Sequence, residues 1–238
     1  MAKVEPERIP FRNCLLSKLS LELLERLRPR LQPVALDVRQ VIYEPNVPIR
    51  YAYFPEQGMI SVVSVMEDGN SIEVGTIGRE GMAGAMLLLG SDSMPYQFFV
   101  QAPGHAERLE ASVLVDEAER SRELRQLILR YQLAFHTQTM QGVACNGLHT
   151  VQRRCCRWLL MARDRADSDD LQLTHEFLGL MLGVRRASVT DVLRPLQDAG
   201  LVRSSHGTIT ILNREALERG ACECYRVIAD QQKQVLSC

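Results

Sequence analysis

The segment from Leu182 to Val202, LGVRRASVTDVLRPLQDAGLV, carries the side chains that are best suited to contact DNA. Apolar residues repeat at helical spacing after Arg185, and Arg186, Ser188 and Thr190 lie off that apolar face. Arginine and short hydroxyl side chains are the types that reach base edges in a major groove. The segment therefore predicts a helix whose Arg186, Ser188 and Thr190 face the bases, with Arg185 closer to phosphate.

The flanking residues complete a recognisable DNA-binding unit. Thr174 is a suitable N-cap for a preceding helix, and Gly183 permits a tight turn between the two helices. Residues 201–213 read as a strand, a His-Gly turn and a second strand. A helical hairpin of an unrelated domain is the alternative, but cap, glycine turn, exposed arginines and hairpin occur in the order of a winged helix. The further candidate DNA contacts are Thr174, His175, Ser205 and His206.

Composition narrows the function classes. The net charge of −1 gives no global signal for nucleic acid, and 25 of the 28 basic residues are Arg. This bias suits phosphate and guanine recognition, and genomic base composition explains it equally well. The longest apolar run, residues 82–90, is far shorter than the roughly 20 residues of a membrane span. The first ten residues lack the apolar core of a signal peptide, so we expect a cytoplasmic protein with no membrane partner.

The chain contains no nucleophile elbow, P-loop or metal-hydrolase motif, so we do not expect an enzyme. Its odd number of cysteines argues against a disulfide framework and favours reduced thiols. Two groups stand out, neither of which matches the usual C-x₂₋₄-C pairs of metal sites. We therefore predict no metal or cofactor and favour buried, inert thiols, with a thiol- or metal-based sensor as the alternative. The first group comprises Cys145, His149, Cys155 and Cys156, and the second Cys222 and Cys224.

The elements that must position these residues change character along the chain. Residues 16–31 read as a helix that Pro29 ends or kinks. Short alternating runs separated by turn residues then predict strands between Pro33 and Leu109, with a hairpin turn at EDGN, residues 67–70. Helical patterns follow from residue 111 onward. The sequence therefore predicts an α+β fold, with a sandwich or small barrel of strands before a helical C-terminal half.

A long helix is predicted before residue 149, and its apolar stripe allows two interpretations. Spacings of three and four are those of a coiled-coil seam, which would make this a dimerisation helix. An ordinary amphipathic helix that packs on its own domain has the same pattern, and the sequence does not separate the two. The candidate dimer residues are Leu124, Leu127, Ile128, Tyr131 and Phe135.

The order of β-roll, long helix and winged helix resembles the Crp/Fnr family of bacterial transcription regulators over nearly the whole chain. LTHEFLGLMLGVRRASVTDVLRPLQDAGLV is similar to the family's helix-turn-helix, and VGTIGREGMAGA resembles its glycine-rich β-roll segment. The resemblance implies a homodimer that binds a pseudo-palindromic operator in double-stranded DNA, with RNA polymerase as a further candidate partner. It also implies a sensor domain over residues 1–110, connecting and dimerisation helices over 111–149, a winged helix over 150–218 and a tail over 219–238.

The recognition helix departs from the family pattern. Arg185 stands at the usual Ser/Thr cap position, while Arg186 and Ser188 match the family's reading arginine and its Thr/Ser. Ala187 replaces a glutamate and Asp191 replaces a later arginine. Glutamate accepts a hydrogen bond from cytosine N4, whereas alanine can only contact a thymine methyl. We therefore expect Ala187 to contribute to an altered half-site. Pro195 predicts a kink or an early helix end.

The effector site departs further. Cyclic-nucleotide binders of this fold carry a Glu for the ribose and an Arg-Ser/Thr pair for the phosphate, and residues 81–100 contain neither Glu nor Arg. Burying a phosphate without a cation is costly, so we expect an unknown effector rather than cyclic AMP held by the usual contacts. Arg79 and Glu80, just upstream, read as a solvated turn. Cys14 alone in the N-terminal region cannot hold an iron–sulfur cluster. The candidate pocket residues are Gly81, Gly84, Tyr96, Gln97, Gln138 and Thr139.

Overall fold

The computed structural model describes residues 11–236. Its N-terminal part contains two short helices, α1 (Cys14–Ser17) and α2 (Leu21–Leu27), followed by a 3₁₀ turn at Arg28–Arg30. The predicted single helix over 16–31 is therefore broken, because the Ser20 side chain accepts a hydrogen bond from the Leu23 amide and starts a new helix. Pro29 lies in the 3₁₀ turn that ends it, as the sequence predicts.

An antiparallel β-roll follows, with strand order β1-β5-β3-β4 and β2 paired to β5. The central pair, β3 and β5, is long, and register shifts between Pro55 and Ile60 bend it. Tyr43, Ile60, Val62 and Phe98 fill the inside of the roll. The strands of this sheet are β1 (Gln32–Leu36), β2 (Val41–Tyr43), β3 (Tyr51–Val65), β4 (Ser71–Ile77) and β5 (Gln97–Glu110).

The hairpin predicted at EDGN joins β3 to β4. Gly69 adopts a left-handed conformation with φ +82°, which glycine tolerates best. The Asp68 carboxylate accepts hydrogen bonds from the backbone and side-chain nitrogens of Asn70, which closes the turn.

Two helices, α3 (Ala111–Arg120) and α4 (Arg122–Leu148), connect the roll to the C-terminal half. Along α4, the stripe predicted as a dimer seam packs against the N-terminal helices and the roll of its own chain. The apolar face of these residues is thus used inside the chain, as in the ordinary amphipathic helix that the sequence leaves open; Phe135 is partly buried and the other four are buried. The residues concerned are Leu124, Leu127, Ile128, Tyr131 and Phe135.

The C-terminal half has a second small sheet with strand order β6-β8-β7, surrounded by helices. The C-terminal helix α9 packs along α4, so the tail returns to the middle of the molecule. The elements are α5 (Val151–Ala166), β6 (Asp170–Gln172), α6 (His175–Leu182), α7 (Arg186–Asp198), β7 (Val202–Ser205), β8 (Thr208–Ile211), α8 (Arg214–Gly220) and α9 (Cys224–Leu236).

The two halves share one apolar core. Met59, Val63 and Phe99 from the roll join Trp158 and its neighbours on α5 in a single buried cluster. The Phe99 ring also packs edge-on against Phe177 on α6, with centroids 5.7 Å apart. The α6 helix is thereby held against the roll. Across residues 11–236, none of the helices is both long and apolar enough to cross a membrane.

Candidate nucleic-acid interface and effector cavity

The helix-turn-helix forms as the sequence predicts. The Thr174 hydroxyl accepts a hydrogen bond from the Phe177 amide and caps α6. Gly183 ends α6 with φ +63°, and Gly179 allows close approach, since a Cβ there would lie 2.8 Å from the Val184 carbonyl oxygen. Arg185 then takes the position before α7 without a side-chain capping bond. The turn is therefore short, and the first residues of α7 remain exposed to solvent.

The outer side of α7 presents the predicted contact residues. Arg185, Arg186, Ala187 and Thr190 are exposed, and Ser188 is half-buried. Val189, Leu193 and Leu196 are buried on the opposite side. Despite Pro195, the helix continues to Asp198, so the early end that the sequence left open does not occur.

His175 has a structural role that the sequence did not reveal. Its Nδ1 lies 3.1 Å from the Thr190 Oγ on α7, and its Nε2 lies 2.9 Å from the Ser204 Oγ on β7. Burial and the nearby Arg186 guanidinium lower the pKa of His175, which favours the neutral ring. The ring thus ties the first helix, the second helix and the wing together.

The wing is the β7–β8 hairpin. His206 and Gly207 both have positive φ, +49° and +79°, the conformation of a type I′ turn. Ser205 and His206 are exposed at its tip, where the Ser205 Oγ lies 2.7 Å from the His206 Nδ1. The tip residues are therefore free to approach a phosphate backbone beside α7.

A second feature is a cavity of about 380 Å³ between the roll and α4. Two of the candidate pocket residues, Tyr96 and Thr139, line it together with His136, Phe98 and Val143. Within the described part of the chain, its lining includes no Arg, Lys, Asp or Glu. The cavity is therefore mostly apolar, with a few polar groups and one imidazole.

Four of the predicted pocket residues do not line this cavity. A Cβ on Gly81 would lie 1.9 Å from the Tyr131 ring, and one on Gly84 would lie 3.0 Å from the Tyr43 hydroxyl, so both glycines serve close packing. The Gln97 amide donates to the Glu44 carboxylate at the surface. Gln138 is buried, and its side-chain oxygen accepts a hydrogen bond from the Thr76 hydroxyl. Packing or polar partners engage these four residues, and Gln138 lines a neighbouring cavity together with Thr139.

A polar joint connects α5 to the roll. Gln138 accepts from the Thr76 hydroxyl and donates to its carbonyl, while the Arg165 guanidinium reaches both Gln138 and Glu80. The Arg165–Glu80 ion pair is 2.7 Å long and its arginine is only 6% exposed. Arg79 and Glu80 form the predicted turn, but Glu80 is not solvated, because Arg165 from α5 pairs with it and leaves its side chain 17% exposed. Arg79, half-exposed, pairs with Asp167 at 3.5 Å.

Glu73 on β4 forms the other half of this joint. Its carboxylate accepts from the Trp158 Nε1 at 2.6 Å and from the Ser61 hydroxyl at 2.5 Å. Burial raises its pKa to about 7, although these two hydrogen bonds and the charges of Arg157 and Arg165 oppose that rise. A titrating carboxyl thus lies where the DNA-binding half meets the roll.

The cysteines divide differently from the two groups seen in the sequence. Cys145 and His149, at the end of α4, lie beside Cys222 and Cys224, at the start of α9. The Cys145 thiol is 3.4 Å from Cys222, and this hydrogen bond lowers the pKa of Cys222. Cys155 is buried in the α5 core, apart from this group. Cys14 takes part in a disulfide, so the expectation of reduced thiols is wrong at that position.

Comparison with known proteins agrees with this architecture. Residues 153–220 match the Crp-like helix-turn-helix domain, and residues 33–121 match the cyclic nucleotide-binding domain, together about two thirds of the chain. No curated protein matches the chain.

Solved structures share the fold across most of the chain. A regulator of the Crp/Fnr family from Eubacterium rectale is 19% identical with a TM-score of 0.69, covering 89% of this chain and 97% of its own. FixK2 from Bradyrhizobium japonicum is 17% identical with a TM-score of 0.68, covering 81% and 98%. A CRP-family regulator from Thermus thermophilus is 21% identical with a TM-score of 0.66, covering 79% and 96%. With both family domains present in family order, the chain belongs to the Crp/Fnr family of transcription regulators.

Proposed function

We propose that the chain acts as a homodimer that binds a pseudo-palindromic operator with α7 and regulates transcription in response to a ligand in the β-roll cavity. The observation that carries this proposal is the exposed Arg186 at the first turn of α7, beside the wing formed by Ser205 and His206. A helix presented by its N-terminal turn with a hairpin alongside fits the major groove and the adjacent phosphates.

The operator is expected to differ from the family's usual half-site. Arg186 and Ser188 keep the side chains that face base edges, with Arg186 suited to guanine. Ala187 is exposed at the same surface and offers only a methyl group. We therefore expect one base position of each half-site to favour a thymine methyl over the cytosine that a glutamate would select.

The dimer requires a surface other than the buried stripe of α4. Four apolar side chains on its opposite side are 38%, 53%, 60% and 72% exposed, and their spacing is that of heptad seam positions. We call them the exposed stripe: Leu129, Leu133, Met140 and Val143. Apolar residues this exposed at seam spacing support pairing of α4 with a second copy of itself.

The dimer surface has a direct test. Leu133→Asp is expected to convert a dimer into a monomer in sedimentation analysis, because it places two carboxylates on the paired seam. The matched control is Leu21→Asp, which changes a leucine of similar exposure, 49%, on the N-terminal helix α2. A wild-type monomer, or a dimer that survives Leu133→Asp, would contradict the assignment.

The cavity supports a mostly apolar effector. Its volume lies within the usual range for ligand sites, and His136 is its one side chain able to carry a positive charge among the described residues. Val143 belongs both to the cavity lining and to the exposed stripe. A ligand there would therefore touch the surface that we assign to the dimer, which provides a route from binding to dimer geometry.

Two experiments test this function. Genome-wide mapping of the bound DNA should return a two-fold related sequence whose half-sites are about one helical turn apart; absence of enrichment, or a single unrepeated site, would refute it. Cyclic AMP and cyclic GMP should leave the thermal midpoint unchanged. A ligand present at a hundred times its dissociation constant adds about 2.7 kcal/mol, so a clear upward shift would overturn the cavity interpretation.

A further inference from the structure

Four potential metal ligands from two distant parts of the chain meet at the hinge between α4 and α5. Cys145 and His149 are four residues apart at the end of α4, and Cys222 and Cys224 flank the start of α9. The Cys145 and Cys222 sulfurs are 3.4 Å apart, and the Cys224 sulfur is 3.5 Å from the His149 Nδ1. All four ligand atoms lie within 4.8 Å of one another.

We propose that Cys145, His149, Cys222 and Cys224 bind one Zn²⁺ ion as a tetrahedral Cys₃His site that fixes this hinge. Zinc–sulfur and zinc–nitrogen bonds of about 2.3 and 2.1 Å imply tetrahedral edges of roughly 3.8 Å between sulfurs and 3.6 Å between sulfur and nitrogen. The two distances given above are already close to those edges. Three sulfurs and one imidazole form a ligand set that zinc occupies in closed, structural sites.

The partners of the ligands are those of a metal site. The His149 Nε2 lies 3.3 Å from the Glu223 carboxylate, which leaves Nδ1 to face the sulfurs. A carboxylate on the second ring nitrogen fixes the ring and strengthens it as a ligand. The Gln141 amide donates to the Cys224 sulfur at 3.1 Å, as amides do to metal-bound thiolates.

The positive charge of two buried arginines near the four ligands gives a second argument for an anionic metal centre. Arg154 and Arg157 are only 8% and 9% exposed, and in the described residues neither Nε has a hydrogen-bond partner. The Arg157 Nη1 donates to the Met161 sulfur at 3.4 Å, and the Arg154 Nη1 donates to the Asn146 side-chain oxygen and the Leu182 carbonyl. Both guanidinium groups interact electrostatically with the Cys145 thiol. Binding of Zn²⁺ releases the three thiol protons to solvent and leaves a centre of charge −1, which the positive charge of the two buried arginines would stabilise.

The position of the site indicates what the metal would do. One ligand pair ends α4 and the other follows α8, so the two pairs bracket the whole winged helix in sequence. A metal bound to both pairs would hold the entry and the exit of the DNA-binding unit together, against α4. We therefore expect the metal to limit how the DNA-binding unit turns relative to α4.

Metal analysis of the full-length protein, purified under reducing conditions, tests the site without reference to DNA. We expect one zinc per chain by elemental analysis. After chelation, titration with Co²⁺ should give the intense visible bands and the thiolate charge-transfer band of a tetrahedral sulfur-rich site, complete at one equivalent. A folded chain that contains no zinc and develops no such bands overturns the proposal. Iron together with acid-labile sulfide also overturns it, in favour of a cluster.

Variants then locate the ligands. Cys224→Ser should abolish the one-equivalent Co²⁺ spectrum, and Glu223→Gln, which removes only the partner of His149, should weaken metal affinity about 10- to 100-fold. Cys155→Ala is the matched control, because Cys155 is equally buried but lies outside the group, and it should keep full binding. Unchanged binding in Cys224→Ser, or equal loss in Cys155→Ala, would contradict the assignment. If Cys224→Ser fails to fold, the wild-type Co²⁺ spectrum and the metal affinity of Glu223→Gln determine whether the proposed site exists.

Discussion

Replacing Glu73 by glutamine should make the protein more stable at neutral and alkaline pH. Glutamine keeps an oxygen to accept from the Trp158 indole and an amide beside Ser61, but it carries no charge into the joint between the roll and α5. Burial is the main cause that raises the pKa of the Glu73 carboxyl from its usual 4.5 to about 7. Its ionised form is therefore disfavoured in the folded state.

The sign and size of the effect follow from proton binding. Below pH 4.5 the carboxyl is neutral in both states, so wild type and Glu73→Gln should be about equally stable. Between 4.5 and about 7 the folded state binds more protons than the unfolded state, so wild-type stability falls as pH rises, and it stays low above pH 7. At about 1.4 kcal/mol per pKa unit, the loss is roughly 3 kcal/mol.

Thermal denaturation at several pH values between 4.5 and 8 measures this difference. For a chain of this size, roughly 3 kcal/mol corresponds to about 6–12 °C in midpoint, with Glu73→Gln higher at pH 8 and equal to wild type near pH 4.5. The control Glu25→Gln changes an exposed carboxylate on α2 and should follow wild type throughout. Parallel pH profiles for wild type and Glu73→Gln would refute the buried-carboxyl reasoning.

Two further substitutions test the packing around α1 and the roll. Gly81→Ala should destabilise the chain by at least roughly 1–3 kcal/mol in chemical denaturation, because the new methyl would overlap the Tyr131 ring; a neutral result would mean that the ring moves freely. Asn13→Ala should cost a similar amount or more, because the buried amide caps α1 and also donates to the carbonyls of Pro55 and Gly81. Stability unchanged in Asn13→Ala would show that water replaces these bonds.

The DNA-binding unit was predictable because its signals are local. A cap at Thr174, a glycine at 183 and the His206-Gly207 turn each specify backbone geometry within a few residues, and the structure forms all three. The EDGN hairpin succeeded for the same reason. Ser20 is compatible with either the interior of one long helix or the cap of a second helix. The local pattern does not distinguish these, and in the structure Ser20 caps α2, so the predicted single helix is divided in two.

The remaining features depend on partners that are distant in sequence. The apolar stripe of α4 predicts which side is buried but not what covers it, and the N-terminal helices cover it here. The sequence predicts Gly81 and Gly84 as pocket positions. In the structure, a side chain at either position would approach Tyr131 or Tyr43 too closely, and neither neighbour is close in sequence. The cysteine group was missed because Cys145 and Cys222 are 77 residues apart. A C-x₃-H pair and a C-x-C pair, considered together, were the available signal.

The central claim, that α7 reads bases through Arg186, is tested most directly by measuring the affinity of Arg186→Ala for the mapped operator and for unrelated DNA at one salt concentration. We predict a loss of about 1–3 kcal/mol, roughly 5- to 150-fold, on the operator and little change on unrelated DNA. Arg185→Ala, the matched control, should weaken both by similar factors, as expected for a phosphate contact. Equal losses on both DNAs for Arg186→Ala would contradict base reading by this residue.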